Sequence, residues 1–307
     1  MGRQRRLAGI ATGLLMLCAV NATASGIYQW RDADGRLHFG DQPPDSLPTE
    51  NLSDLYNNTV PFEFRIDTID YRLPPQLRDR LTYSVRKIFT IYRQALNIDY
   101  PTGSEFKILI YGQQQEFRAY QREVAPVLEN AAGFYSSLNN QITTWAIPNH
   151  EALIRLIIHE CSHAISASTG KYIPTWLNEG LAEYFERLHV HGLSAEIPLS
   201  EQWLTVLRRH RFDTESGRLT QIIEAPHQLW YANNGPDNLS YAASWSLVWF
   251  LMDSSEGRAL IRELLSVNHN SAHIGVNIIE QHWPGGMSGL DNQWRNWLTH
   301  AKGRHRY

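Results

Sequence analysis

The chain has 307 residues, 43% of them hydrophobic and 19% charged, with a formal net charge of -3. That length carries one sizeable core, or one core plus a small module. The mildly acidic balance argues against a nucleic-acid binder, which shows a basic face, and two cysteines are too few for a disulfide-stapled scaffold.

The first element reads as a leader. Arg3, Arg5 and Arg6 precede the apolar run Leu7 to Val20, and Ala22-Thr23-Ala24 supplies small residues at signal-peptidase spacing. Residues 1–24 are therefore expected to be a cleaved secretory signal. The apolar run is short for a bilayer span, so no stable membrane insertion is expected after cleavage. Cleavage would remove three arginines and no acid, taking the net charge from -3 to -6. It would leave Cys161 as the single cysteine, which reads as a small buried hydrophobe.

IYQWRDADGRLHFGDQPP, residues 27–44, reads as a hairpin turning at Asp34-Gly35. Asp32-Ala33-Asp34-Gly35 lacks the later acidic ligands and closing Glu of a calcium loop, so a plain turn is expected. The positions Tyr28, Trp30, Asp32, Gly35, Phe39, Asp41, Pro43 and Pro44 resemble a small domain of unknown function found behind the signal peptide of many bacterial envelope proteins. The resemblance implies a periplasmic location and no activity. Residues 25–58 are thus expected to form a small β-hairpin module with a Pro-rich linker, open to a cell-envelope partner.

Two larger segments follow, divided as 59–190 and 191–307. Pro74-Pro75 opens a helix in which Leu77, Leu81, Val85, Ile88, Ile91, Tyr92 and Ala95 recur at helical spacing. Residues 106–111 read as a strand, 113–123 as a polar helix, and 133–145 as a hairpin turning at Asn139-Asn140. Beyond Ser200 the pattern is mainly helical, over 201–209, 239–252, 257–267, 274–282 and 292–300. The predicted fold is α+β: a small mixed sheet packed on a helix pair, then a mainly helical C-terminal half.

LIIHECSHAISASTGKYIPTWLNEGLAEYFE, residues 156–186, carries the chemistry. His159 and His163 are four apart, so on a helix both imidazoles reach one metal ion. Glu160 lies about 100° round the axis, badly placed as a ligand but able to take a proton from a water on the ion. The competing reading is a core helix with two satisfied histidines. Leu153, Ile154, Leu156, Ile157, Ile158, Ala164 and Ile165 make this helix apolar almost all round. Polar groups inside such a helix need partners, and a metal supplies one. A catalytic zinc takes three protein ligands and keeps one open position. Gly170 ends the helix and Pro174 starts the next, so Glu179 can face back as a third ligand. Glu183, one turn on, can orient an imidazole from outside the ligand set.

WLNEGLAEYFE resembles the W-L-x-E-G-(L/F)-A segment of the gluzincin metallopeptidases, the peptidase-MA-like branch among them. The resemblance implies a zincin-type helix pair holding one Zn2+ through His159, His163 and Glu179, with Glu160 as general base. It also implies Glu183 and Glu186 as outer acidic partners. YAASWSLVWFLM, residues 241–252, resembles the family's helix whose leading tyrosine steadies the oxyanion, which points to Tyr241; its bland reading is the start of a core helix. The family's amine-binding Gly-x-Met-Glu-Asn strand has no counterpart in AAGFYSSLNNQITTW, which favours an endopeptidase over an aminopeptidase. A periplasmic zinc peptidase acting on a peptide or protein is the leading expectation. The alternatives are a metal-dependent amide hydrolase acting on cell wall and a non-enzymatic envelope interaction protein. His150, His189, His191 and His227 lack partner spacing and read as surface or loop, and Arg208 to Arg211 as a solvated helix end.

Overall fold

The computed structural model describes residues 28–31, 37–40, 46, 48–51, 64–100, 106–128, 131–192, 194–232, 235–268 and 273–307. The expected signal segment and the turn at 32–35 lie outside the described residues. The chain divides into two compact units, Met1–Asn58 and Thr59–Tyr307.

In the first unit β1 (Tyr28–Arg31) pairs antiparallel with β2 (Leu37–Gly40), Tyr28 opposite Gly40. A third strand, β3 (Thr49–Asn51), pairs with the other edge of β1. The sequence reads that stretch as linker, because three residues carry no detectable period.

The second unit opens with β4 (Phe64–Ile69), α1 (Pro75–Leu96) and β5 (Phe106–Tyr111), a parallel βαβ unit with Phe64 opposite Phe106. Pro75 occupies the first turn of α1, where a missing N–H costs nothing, and Asn97 closes the helix at φ 53°. The predicted stripe from Leu77 to Tyr92 is buried. Then come α2 (Gln114–Val124), β6 (Gly133–Ser136) and β7 (Gln141–Trp145). The sheet order is β4-β5-β7-β6, with β7 parallel to β5 and β6 antiparallel to β7, so β6 is an edge. The main core takes Ile66, Ile108, Ile110 and Ile142 together with α1, while Tyr111 and Phe134 join Phe117 of α2 in a smaller cluster. β4 escapes sequence reading because Arg65 and Asp67 interrupt it; the two pair with each other at 2.7 Å in solvent.

Two helices lie next in the chain, α3 (His150–Ser168) and α4 (Thr175–Phe185). Asn149 caps α3 by accepting from the Ala152 N–H at 3.1 Å. Gly170 turns the chain at φ 62°, a conformation glycine adopts without strain, and Pro174 precedes α4. β8 (His189–His191) and β9 (Ser194–Pro198) follow, then α5 (Glu201–Arg209), α6 (Arg218–Glu224), α7 (His227–Ala232), α8 (Leu239–Met252), α9 (Ser255–Leu265), α10 (Ile274–His282) and α11 (Gly286–His300). The last strand, β10 (Arg304–Arg306), pairs with β9 in a sheet ordered β10-β9-β8. This sheet and the short helices α6 and α7 are additions to the mainly helical pattern expected beyond Ser200. α11 also begins six residues before the expected Asn292.

The architecture is α+β with a mainly helical C-terminal half. Its centre is α8, apolar on every side, with Trp245, Leu247, Val248 and Leu251 fully buried. α4 packs against both α3 and α8. Among the described residues no helix is long and apolar enough to cross a membrane.

Candidate metal centre

The imidazoles of α3 share one face, with His159 and His163 ring centroids 4.9 Å apart. Glu179 of α4 meets them. Its Oε2 lies 3.7 Å from His159 Nε2 and 3.7 Å from His163 Nε2. The three side chains are 15%, 17% and 8% exposed, so the group is reachable from solvent without being in it.

The donor set suits a divalent metal. Tetrahedral ligands about 2.1 Å from zinc stand about 3.4 Å from one another, so the two Glu179 edges are within a few tenths of an ångström of that spacing. The electrostatics agree. Burial pulls the His159 pKa down, yet the carboxylates of Glu179 and Glu186 override it and push the imidazole well above its usual value. Burial raises Glu179, but His163 and His159 outweigh it and hold the carboxyl at about 2. The carboxylates thus favour positive charge at this position.

Around this group the outer contacts are specific. His159 Nδ1 faces Glu186 Oε2 at 3.5 Å, and Arg155 Nη2 donates to Glu186 Oε1 at 2.8 Å. Such a carboxylate fixes the ring so that Nε2 faces Glu179. Glu183 sits in the same acidic cluster, with His159 and Glu186 ligand atoms within 4.8 Å. Burial, and then the charge of Glu186, push its carboxyl up to about 7. His163 Nδ1 is buried without a hydrogen-bond partner, so the two imidazoles are supported unequally.

Glu160 is 7% exposed, and its Oε2 accepts from the backbone N–H of Tyr135 on β6 at 2.9 Å. That bond ties the carboxylate to the sheet edge, away from the ligand face, as the helical offset from His159 requires. Glu160, both histidines, Glu179, Glu186, Tyr241 and the β6 segment all line one cavity of about 870 Å³. Tyr241 stands in the first turn of α8, half-buried. Burial first, then the nearby Glu179, Glu183 and Glu160 carboxylates, raise its phenol well above the ordinary value.

Sequence reasoning missed Tyr231. Its hydroxyl donates to Glu179 Oε1 at 2.6 Å, and its ring lies 6.4 Å from that of Tyr241. Burial, then the charge of Glu179, hold this phenol too in its protonated form. Nothing local marks it, since α7 is only six residues long. His227, read as a lone surface histidine, also lines the cavity, its ring 4.9 Å from that of Tyr231. Cys161 is fully buried in the core, and His189 and His191 are exposed. Arg208 donates to the Leu298 carbonyl, while Arg209 and His210 engage Asp237 at 3.2 and 2.7 Å.

Residues 101–300, about two thirds of the chain, match the profile of the Peptidase MA superfamily. The chain belongs to that superfamily, and its function is of peptidase type. Residues 14–59 match a domain of unknown function (DUF4124). No curated protein matches the chain.

Proposed function

We propose that this protein is a zinc-dependent peptidase of gluzincin type that hydrolyses internal peptide bonds in the periplasm. The observation that carries the reading is Glu179 Oε2 standing 3.7 Å from both His159 Nε2 and His163 Nε2 on the wall of a large cavity. His159, His163 and Glu179 are the three ligands. Bound there, zinc supplies Lewis acidity and lowers the pKa of a water to near neutrality.

The chain supplies the rest. Glu160, anchored by the Tyr135 N–H, accepts the proton of the attacking water and passes it to the leaving nitrogen. Tyr241 donates a hydrogen bond from its hydroxyl to the carbonyl oxygen as charge develops there, a stabilisation absent from the ground state. Glu186, held by Arg155, orients His159, and Glu183 stands beside both in the same acidic cluster.

Two features support an internal cut. Among the described residues the acids lining the cavity are Glu160, Glu179 and Glu186, and each has a partner in Tyr135, Tyr231 or Arg155. In this reading each is engaged in the metal chemistry itself, and none is assigned to a substrate's free amine. The remaining wall is largely apolar, with Val127 91% and Leu128 40% exposed, which suits apolar side chains of an extended polypeptide. The periplasmic site rests on the leader-like segment and the envelope-type N-terminal domain.

The test is metal analysis with proteolytic profiling of wild type and Glu160→Gln. Wild type should carry one zinc per chain and cleave within peptides. The variant should retain the zinc and lose about 10²–10⁴-fold in kcat. Gently purified wild type without stoichiometric metal would refute the proposal. Cleavage of purified cell wall but not of peptides would transfer the same chemistry to a non-peptide amide.

A further inference from the structure

The two oxygens of Glu179 have different partners. Oε2 faces both histidines at 3.7 Å, while Oε1 accepts the Tyr231 hydroxyl at 2.6 Å. A carboxylate with a spare oxygen can slide to bidentate binding and fill the coordination position that catalysis needs open. An oxygen already receiving a short O–H···O bond is held back from that slide.

We propose that Tyr231 is a positioning residue that keeps Glu179 a one-oxygen ligand and so keeps the metal's open position free. The inference rests on the metallopeptidase reading above and adds to it a residue that neither the H-E-x-x-H motif nor the E-G segment contains.

The surroundings fix the phenol where the role needs it. Trp230, wholly buried, packs edge-on to Tyr231 at 4.9 Å and to Tyr241 at 4.8 Å. Its carbonyl accepts from Ser240 Oγ at 2.9 Å, which fastens α7 to the start of α8. His227 flanks the ring from one turn back. Tyr231 is nonetheless 39% exposed, so its removal leaves the core intact. The two tyrosines then divide the work: Tyr231 bonds a ligand, and Tyr241 is left free for substrate.

The test compares Tyr231→Phe with Tyr241→Phe in the full chain, using zinc affinity by chelator competition and the absorption spectrum of the cobalt(II)-substituted protein. Phe retains the ring packing and removes only the hydroxyl. Melting of the metal-free proteins should be unchanged, which separates a folding defect from a site defect. Tyr231→Phe should weaken zinc binding about 10–100-fold. Its cobalt bands should also lose intensity, as a four-coordinate site gains a fifth bond. Tyr241→Phe should leave both readouts as in wild type. Wild-type affinity and spectrum in Tyr231→Phe would overturn the inference while leaving the peptidase reading intact. Equal changes in both variants would also overturn it, since the effect would then belong to the cavity and not to the Glu179 bond. Absence of metal binding by wild type would overturn both.

Discussion

Gly180 follows Glu179 and faces α8 at close range. A Cβ placed there would stand 2.7 Å from the Ser244 carbonyl oxygen and 2.9 Å from Val248 Cγ2. Carbon meets a carbonyl oxygen comfortably at about 3.3 Å, so Gly180→Ala must part the two helices by about 0.6 Å. The obstacle is backbone, which no rotamer change relieves. Glu179 is one residue away, about 100° round the same helix, and so faces α3 while Gly180 faces α8. Metal sites tolerate ligand displacements of about 0.2 Å, well below the shift required.

Stability and metal binding should therefore respond differently. Overpacking costs about 1–3 kcal/mol, but replacing a helical glycine by alanine returns about 1 kcal/mol. The net loss, about 0–2 kcal/mol, should lower the melting temperature of the metal-free protein by only a few degrees, given about 2–4 °C per kcal/mol at this size. Zinc affinity should fall tenfold or more, about 1.4 kcal/mol. Chelator competition gives the affinity, and melting in excess chelator gives the stability. If Gly180→Ala holds zinc within threefold of wild type and melts at the same temperature, the α4–α8 approach does not set the position of Glu179.

Zinc removal should itself destabilise: at free zinc one hundred times Kd the bound protein gains about 2.7 kcal/mol, a rise of about 5–10 °C in Tm that scanning calorimetry with and without chelator would read. Tyr241→Phe should lower kcat about 10²–10³-fold with KM little changed, and a loss confined to KM would remove Tyr241 from oxyanion stabilisation. His305 on β10 tests the C-terminal docking. Its ring stacks 3.8 Å from Trp249, and Nδ1 contacts the Tyr184 hydroxyl at 2.7 Å. Burial lowers its pKa to about 4, despite the opposing pull of Asp253. The folded state thus holds His305 neutral while the unfolded chain protonates it near 6.5, so stability is complete above pH 6.5 and falls as pH drops towards 4. The loss is on the order of 3 kcal/mol, and His305→Gln should remove that part of the acid destabilisation in melts between pH 7 and 4. Identical pH dependence in the variant would show that protonation of His305 is not what loosens the fold.

What the sequence made legible follows the range of the interactions. The H-E-x-x-H helix carries its own geometry: residues four apart share a face, and the apolar flanks bury it. Glu179 was within reach because one turn through Gly170 and Pro174 joins its helix to α3. Tyr231 was not. It reaches Glu179 across 52 residues from a six-residue helix, whose place depends on burying Trp230. The pairing of β10 with β9 was hidden for the same reason, since His305 lies opposite Ile197 with the whole helical half between them in sequence.

The acidic residues of α4 show what local periodicity leaves out. Counting along one helix puts Glu183 on the face of Glu179, one turn on, and so nominates it to orient an imidazole. The pairing partner, however, lies on another helix. α3 and α4 are consecutive helices joined by a short turn, so they run antiparallel, and later residues of α4 meet earlier residues of α3. Glu179 near the start of α4 therefore reaches the His159–His163 pair. Glu186, seven residues on, reaches back to His159 Nδ1 and Arg155. Glu183 falls between them, close to both neighbouring carboxylates, and its raised pKa follows from burial and the charge of Glu186. The direction of the helix pair, more than the spacing within either helix, decides which carboxylate meets His159 Nδ1.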